Sequence, residues 1–192
     1  SKNFSEKVVK SKTTIIPCCT NTSLFDPKNT NDSIVLNEIS KDDHVVIYTG
    51  SIGTWYYTKE MIDCVIEWRK KIPAIKLLIL TKDTAELSKI LSNYSLEDQT
   101  LIVSRSASYK EVPVYLSMAK AAMFFIKPAY SKIASSPTKM AECWAMNLPI
   151  ITNHGIGDND IYFNEHKGGV LVNNFSETDY DRSCDDYLKL VS

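Results

Sequence analysis

Lys76-Leu77-Leu78-Ile79-Leu80 sets four apolar residues in a row behind one lysine, with no polar alternation. A strand with one wet face alternates apolar and polar residues, whereas a strand covered on both faces does not. The run therefore reads as a strand inside a parallel sheet. Working outward, similar apolar runs occur at Val45–Tyr48, Leu101–Val103, Ala122–Ile126, Pro149–Thr152 and Gly169–Val172. Helical segments fall between them. Tyr57–Lys71 carries Met61, Val65 and Trp68 at helical spacing; Ala85–Leu91, Glu111–Ala119, Pro137–Met146 and a closing Thr178–Leu190 follow. Ser108 and Glu111 stand at capping-box spacing, and Ser136 before Pro137 reads as an N-cap with proline at the first helical position. Strand–helix alternation with right-handed crossovers predicts an α/β fold, a doubly wound Rossmann-like parallel sheet of about six strands with helices on both faces.

In such a sheet ligands lie beyond the carboxyl ends of the strands. That rule selects the loops Thr49–Trp55, Ser104–Tyr109, Lys127–Ser136 and Asn153–Asp160. The third is the richest. Ser135-Ser136-Pro137-Thr138-Lys139 offers small hydroxyls and free backbone N–H groups at a helix N-terminus, which carries about half a positive charge and attracts phosphate. Lys127, Lys132 and Lys139 add cations. Glu142, four residues after Thr138 and on the same helix face, is suited to accept hydrogen bonds from ribose hydroxyls. Gly50-Ser51-Ile52-Gly53 follows the first strand and suits either close approach to a phosphate or a plain tight turn; it lacks the third glycine of a dinucleotide fingerprint and any Walker lysine. Trp55-Tyr56-Tyr57 suits stacking on a sugar or base, or packing of a helix start against the sheet. His154 and Asp158 lie in the fourth loop. The three histidines assemble no catalytic triad and no metal constellation.

The chain has 192 residues, 44% of them apolar, and a net charge of −1. This balance argues against a nucleic-acid binder held by phosphate contacts. No apolar run approaches the ~20 residues of a membrane span, and Ser1–Lys12 does not resemble a signal peptide, so a cytoplasmic location is expected. The five cysteines fit no zinc spacing and read as free thiols. Residues 1–37 are polar and turn-rich apart from Thr14-Ile15-Ile16-Pro17, and read as a lead-in to a domain spanning 38–192.

Taken together these segments resemble the C-terminal domain of family 4 glycosyltransferases, which have the two-domain GT-B architecture. The resemblance rests on Ile15-Ile16-Pro17 with Phe25 beyond it (the interdomain segment), on Tyr48-Thr49-Gly50-Ser51, on Glu142-Cys143-Trp144-Ala145-Met146-Asn147-Leu148-Pro149 and on Gly169-Val170-Leu171-Val172. It implies retaining transfer of a sugar from a UDP- or GDP-sugar to a glycan or lipid-linked acceptor, in surface polysaccharide synthesis, without a metal or other cofactor. It implies a diphosphate at the helix start, ribose on Glu142 and the base near Ser104–Tyr109. The donor-binding residues so implied are Ser135, Ser136, Pro137, Thr138, Lys139, Glu142, Lys127, Gly50, Ser51, Gly53 and Arg105. It implies further that residues 1–37 are a hinge, that the N-terminal acceptor domain is absent, that this half transfers nothing alone, and that the full-length enzyme is peripheral at the inner membrane face.

Two departures accompany the resemblance. Ala134 stands where the family carries its first glutamate, as in a subgroup with Ser-Pro-Thr-Lys at this loop. Ser51 and Tyr56 stand near the places of the family's diphosphate-binding arginine and lysine, which leaves Lys127, Lys139 or Arg105 to supply the charge. Two other readings fit the pattern: half of a GT-B nucleotide-sugar epimerase with Asp158 as its acid, and a degenerate, non-catalytic nucleotide-sugar-binding domain.

Overall fold

The computed structural model describes residues 16, 18–30, 34–132, 136–157 and 159–192. Among these, six strands form one sheet in the order β3-β2-β1-β4-β5-β6. They are β1 (His44–Thr49), β2 (Ile75–Leu80), β3 (Ile102–Arg105), β4 (Ala121–Phe124), β5 (Ile150–Asn153) and β6 (Gly169–Val172). Every pairing is parallel. The helices are α1 (Thr58–Trp68), α2 (Thr84–Leu91), α3 (Leu96–Gln99), α4 (Val112–Ser117), α5 (Thr138–Ala145), α6 (Asn159–His166) and α7 (Glu177–Val191). The doubly wound α/β architecture read from the sequence is the one observed.

The continuous apolar runs are explained by burial. Leu77, Leu78 and Ile79 of β2 and Val46 and Ile47 of β1 have at most 1% of their surface exposed. Helix α1 buries Met61, Ile62, Val65 and Trp68. Trp68 stacks on Tyr187 of α7 at 5.0 Å, and its indole N–H donates to Tyr180 O and Ser183 Oγ. Removing a side chain of this size from a closed core costs about 3–5 kcal/mol. The glycine opening β6 has a steric cause: a Cβ on Gly169 would lie 2.0 Å from Ile150 O of the neighbouring strand.

Several local expectations are corrected. The helix read as Glu111–Ala119 runs from Val112 to Ser117, and the Glu111 carboxylate accepts from Ser108 N–H at 2.7 Å, one half of the capping-box pattern. Helix α5 begins at Thr138, and Pro137 rather than Ser136 is its N-cap. The Ser136 hydroxyl instead accepts from Cys18 N–H at 3.2 Å. Phe25 and Leu36, in the polar lead-in, are buried and join the core. Of the apolar stretch Thr14-Ile15-Ile16-Pro17, only Ile16 is among the described residues.

The strand order reverses between β1 and β4, and connections leave these two strands toward opposite faces. This is the place where an open α/β sheet leaves a crevice for ligands. Here the loops after β1 and β4 are stitched together over the reversal point. Tyr56 and Ile126 form an antiparallel bridge, Tyr57 N–H donates to Phe125 O and Lys127 N–H donates to Trp55 O. The buried Asn153 side chain at the end of β5 clamps Ile126, accepting from its N–H at 2.7 Å and donating to its carbonyl at 3.0 Å.

Candidate functional site

Gly50 leaves β1 with φ +148°, and a Cβ there would meet Tyr48 Oη at 2.9 Å and Lys139 Nζ at 3.0 Å. The turn is held from two sides. Tyr48 O–H donates to Ser51 O at 2.6 Å, and Ile52 N–H donates to Asp83 at 2.8 Å. The first turn of α5 lies against this glycine through Lys139. Among the described residues no side chain caps α5, which leaves N–H groups at the positive end of the helix for an outside acceptor.

Lys139 is the unusual group. Its Nζ is closed off from solvent and has no hydrogen-bond partner among the described residues. It lies over three rings: Tyr56 at 4.1 Å from the centroid, Tyr48 at 4.8 Å and Phe124 at 5.5 Å. A desolvated cation–π contact contributes about 2 kcal/mol, while removing an ammonium from water costs several. Burial accordingly lowers the Lys139 pKa to about 8 from 10.5, opposed by the nearby Cys143 and Glu142. Among the described residues no carboxylate forms a close ion pair with this ammonium.

Glu142, one turn further along α5, is half-buried, and its Oε1 accepts from Tyr109 O–H at 3.1 Å. Tyr109 comes from the loop after β3. It lines a cavity of about 410 Å³ together with Gly50, Ser51, Leu80, Ala107 and Val112. The cavity thus opens between the β1 turn and the β3 loop, beside Glu142.

The structure brings some expected residues together and separates others. Gly50, Lys139 and the α5 start form one surface, with Thr138 exposed at its edge, and Ser51 and Glu142 adjoin it. Gly53 has φ +115° with nothing within 4 Å of a built Cβ, so the turn's backbone rather than a neighbouring protein group calls for glycine there. Lys127 is exposed. Arg105 is already paired: its guanidinium forms two 2.7 Å contacts with the Glu38 carboxylate. His154 Nδ1 lies 3.2 Å from Asp160. Ser135, Ala134 and Asp158 lie outside the described residues. Of the aromatic triplet, Tyr56 joins the lysine cage and Tyr57 packs edge-on against Phe175 at 5.1 Å.

A second cavity, about 480 Å³, lies at the far edge of the sheet beside β6. In its lining Arg182 is paired with Asp179 and Asp186, and Lys189 with Asp186. Among the described residues no group of three or more His, Cys, Asp or Glu side chains could hold a metal ion, and no helix is long and apolar enough to cross a membrane. Cys18, Cys64, Cys143 and Cys184 are free, the last three of them buried.

No family model matches the sequence, and no curated protein matches it. Solved structures do match its fold. A glycosyltransferase from Rickettsia africae aligns over 99% of this chain and 52% of its own at 14% identity, with a TM-score of 0.67. The C-terminal domain of a glycosyl transferase group 1 family protein (LpcC) from Francisella tularensis aligns over 90% of each chain at 16% identity, TM-score 0.63. The pneumococcal O-GlcNAc transferase GtfA, solved in complex with UDP and GlcNAc, aligns over 99% of this chain and 36% of its own at 14% identity, TM-score 0.54.

The chain has the fold of these glycosyltransferase domains. Identities this low carry the fold alone. The chain spans 28% of the length of TarM and 52% of the Rickettsia enzyme, so each of those proteins contains much beyond this domain.

The cage around Lys139 and the Tyr109–Glu142 bond are the parts of the site that the sequence did not advertise. Tyr48 reads as an ordinary strand residue, and Tyr109 as loop. The one available signal was the aromatic triplet beside the first glycine turn, whose middle member closes the cage.

Proposed function

We propose that this chain is the donor-binding half of a retaining glycosyltransferase, taking a nucleoside diphosphate sugar, UDP- or GDP-linked, for transfer to a glycan or lipid-linked acceptor. The observation that carries the reading is the buried, unpartnered Lys139 ammonium beside Gly50 and the uncapped start of α5. A diphosphate placed there would gain a cation in a low-dielectric setting and the N–H groups of a helix end, with glycine allowing its close approach. The same charge would stabilise the diphosphate as it leaves, which is the larger part of what an enzyme does in such a transfer. In this proposal the positive charge comes from Lys139 and the helix rather than from a metal.

The remaining groups fit the rest of a nucleotide. Glu142 would accept from ribose hydroxyls, and the cavity between Leu80, Ala107 and Val112 would take the base. Transfer would also require an acceptor-binding domain facing these loops, and this chain alone is expected to bind donor without transferring sugar. Surface polysaccharide synthesis and association with the cytoplasmic membrane face belong to the same proposal.

The test is a thermal-shift panel of UDP, GDP, ADP, CDP and TDP with their common sugars. One base should raise the melting temperature in a saturable way, since a ligand at a hundredfold its Kd adds about 2.7 kcal/mol to folded-state stability. A flat response across the panel removes the proposal.

A further inference from the structure

Tyr109 stands at a junction. Its hydroxyl donates to Glu142 Oε1, its ring forms part of the 410 Å³ cavity wall, and the edge of Phe25 meets that ring at a centroid distance of 5.5 Å and an angle of 61°. Phe25 is 1% exposed, while Tyr109 is 56% exposed. An aromatic side chain this exposed has little packing of its own to fix it, so the buried Phe25 is its anchor. Phe25 is in turn placed by a local turn, with Leu24 N–H and Phe25 N–H both donating to Asn21 O. The same lead-in segment touches the start of α5 through Cys18 N–H and the Ser136 hydroxyl.

A glutamate on a helix surface has three free side-chain torsions, and ordering it opposes ligand binding. A phenol bond to one carboxylate oxygen removes much of that freedom in advance. It leaves the other oxygen, and a second lone pair on the first, to accept from a ligand's hydroxyls. We propose that Tyr109 is a positioning residue for nucleoside recognition: its hydroxyl holds the Glu142 carboxylate in a ribose-accepting orientation, and Phe25 of the lead-in holds the Tyr109 ring. This rests on the donor-site reading above and adds to it a role for a residue in the β3 loop and for the lead-in. The lead-in then acts on ribose recognition without touching ribose.

The experiment is calorimetric titration of the full chain with UDP and GDP, their 2′-deoxy and 3′-deoxy forms, and inorganic pyrophosphate. Loss of a ribose hydroxyl bonded to a carboxylate should weaken binding about tenfold in the wild type. In Tyr109→Phe, which keeps the ring and its packing, that difference should shrink to threefold or less through weaker ribonucleotide binding, with pyrophosphate affinity unchanged. Phe25→Leu should move the ratio in the same direction, with a melting curve showing that the chain is folded. A purely structural role would weaken all ligands alike. Wild-type discrimination in Tyr109→Phe, or tighter ribonucleotide binding, overturns the positioning role while the donor site stands. If Glu142→Ala keeps wild-type discrimination, the ribose assignment fails and this role with it; if no nucleoside diphosphate binds the wild type, the donor reading fails as well.

Discussion

The Lys139 ammonium lies 4.1 Å from the centre of the Tyr56 ring and has no hydrogen-bond acceptor among the described residues. A buried charge in that state destabilises the empty protein and is relieved by an anion. Replacing Lys139 by methionine, of similar volume, should therefore raise the melting temperature of the ligand-free chain, corresponding to about 1–3 kcal/mol. The same change should weaken nucleoside diphosphate binding at least tenfold in a titration. Arg105→Ala should leave that affinity within about twofold, because its guanidinium already serves Glu38 and exposed pairs contribute little elsewhere. A large loss from Arg105→Ala and none from Lys139→Met would place the diphosphate elsewhere.

The lysine also sets a pH dependence. Its folded pKa is lowered to about 8 from 10.5, so the folded state releases a proton more readily than the unfolded chain. The unfolded state binds more protons between these values, and the contribution of Lys139 to stability rises with pH from about 8 to 10.5. The groups around the ammonium are Tyr48, Tyr56, Cys143 and Glu142; the first three have raised pKa values and stay neutral at pH 8. Diphosphate binding should run the opposite way, weakening as pH passes 8 and the cation is lost. Titrations at pH 7 and 9 on wild type and Lys139→Met check this: the wild type should lose affinity on going to pH 9, and the methionine variant should not.

Gly50 and Gly53 separate close approach from turn geometry. Both have positive φ, so alanine strains the backbone at each, at a cost of about 1–3 kcal/mol. Only at Gly50 would the new methyl meet the Tyr48 hydroxyl and the Lys139 ammonium. Gly50→Ala should lower stability and also weaken nucleoside diphosphate binding by tenfold or more. Gly53→Ala should lower stability alone. Paired melting and titration data on the two variants distinguish the effects.

Asn153 is expected to matter for the scaffold. Asn153→Ala leaves the buried N–H and carbonyl of Ile126 without their partners. Each orphaned group costs about 1–3 kcal/mol, so urea unfolding should show a loss of about 2–5 kcal/mol with an unchanged m-value. The loop after β4 should also exchange its amide protons faster than in the wild type.

What the sequence reveals here follows from how far each feature reaches along the chain. Leu77–Leu80 declares a strand covered on both faces because the whole signal lies within a few residues. Helix α6 was not read because Ile161, Tyr162 and Phe163 run consecutively rather than at helical spacing. The site was half legible. Glycine after β1 and a helix start with a lysine and a glutamate are local patterns. The cage is not, because Tyr48, Tyr56 and Phe124 converge on Lys139 from β1, its following loop and β4. Arg105 reads as a free cation only until Glu38, 67 residues earlier, folds against it. Tyr109 and Glu142 meet across 33 residues by the same kind of closure.

The central claim is that a nucleoside diphosphate binds where Gly50, Lys139 and the start of α5 meet. Amide chemical-shift mapping during titration with the nucleoside diphosphate that gives the largest thermal shift tests it most directly. The amides of Gly50, Ser51, Thr138, Lys139 and Tyr109 should shift together along one saturation curve. Shifts confined to the β6-edge cavity around Lys167 and Arg182, or no shifts at all, would contradict it.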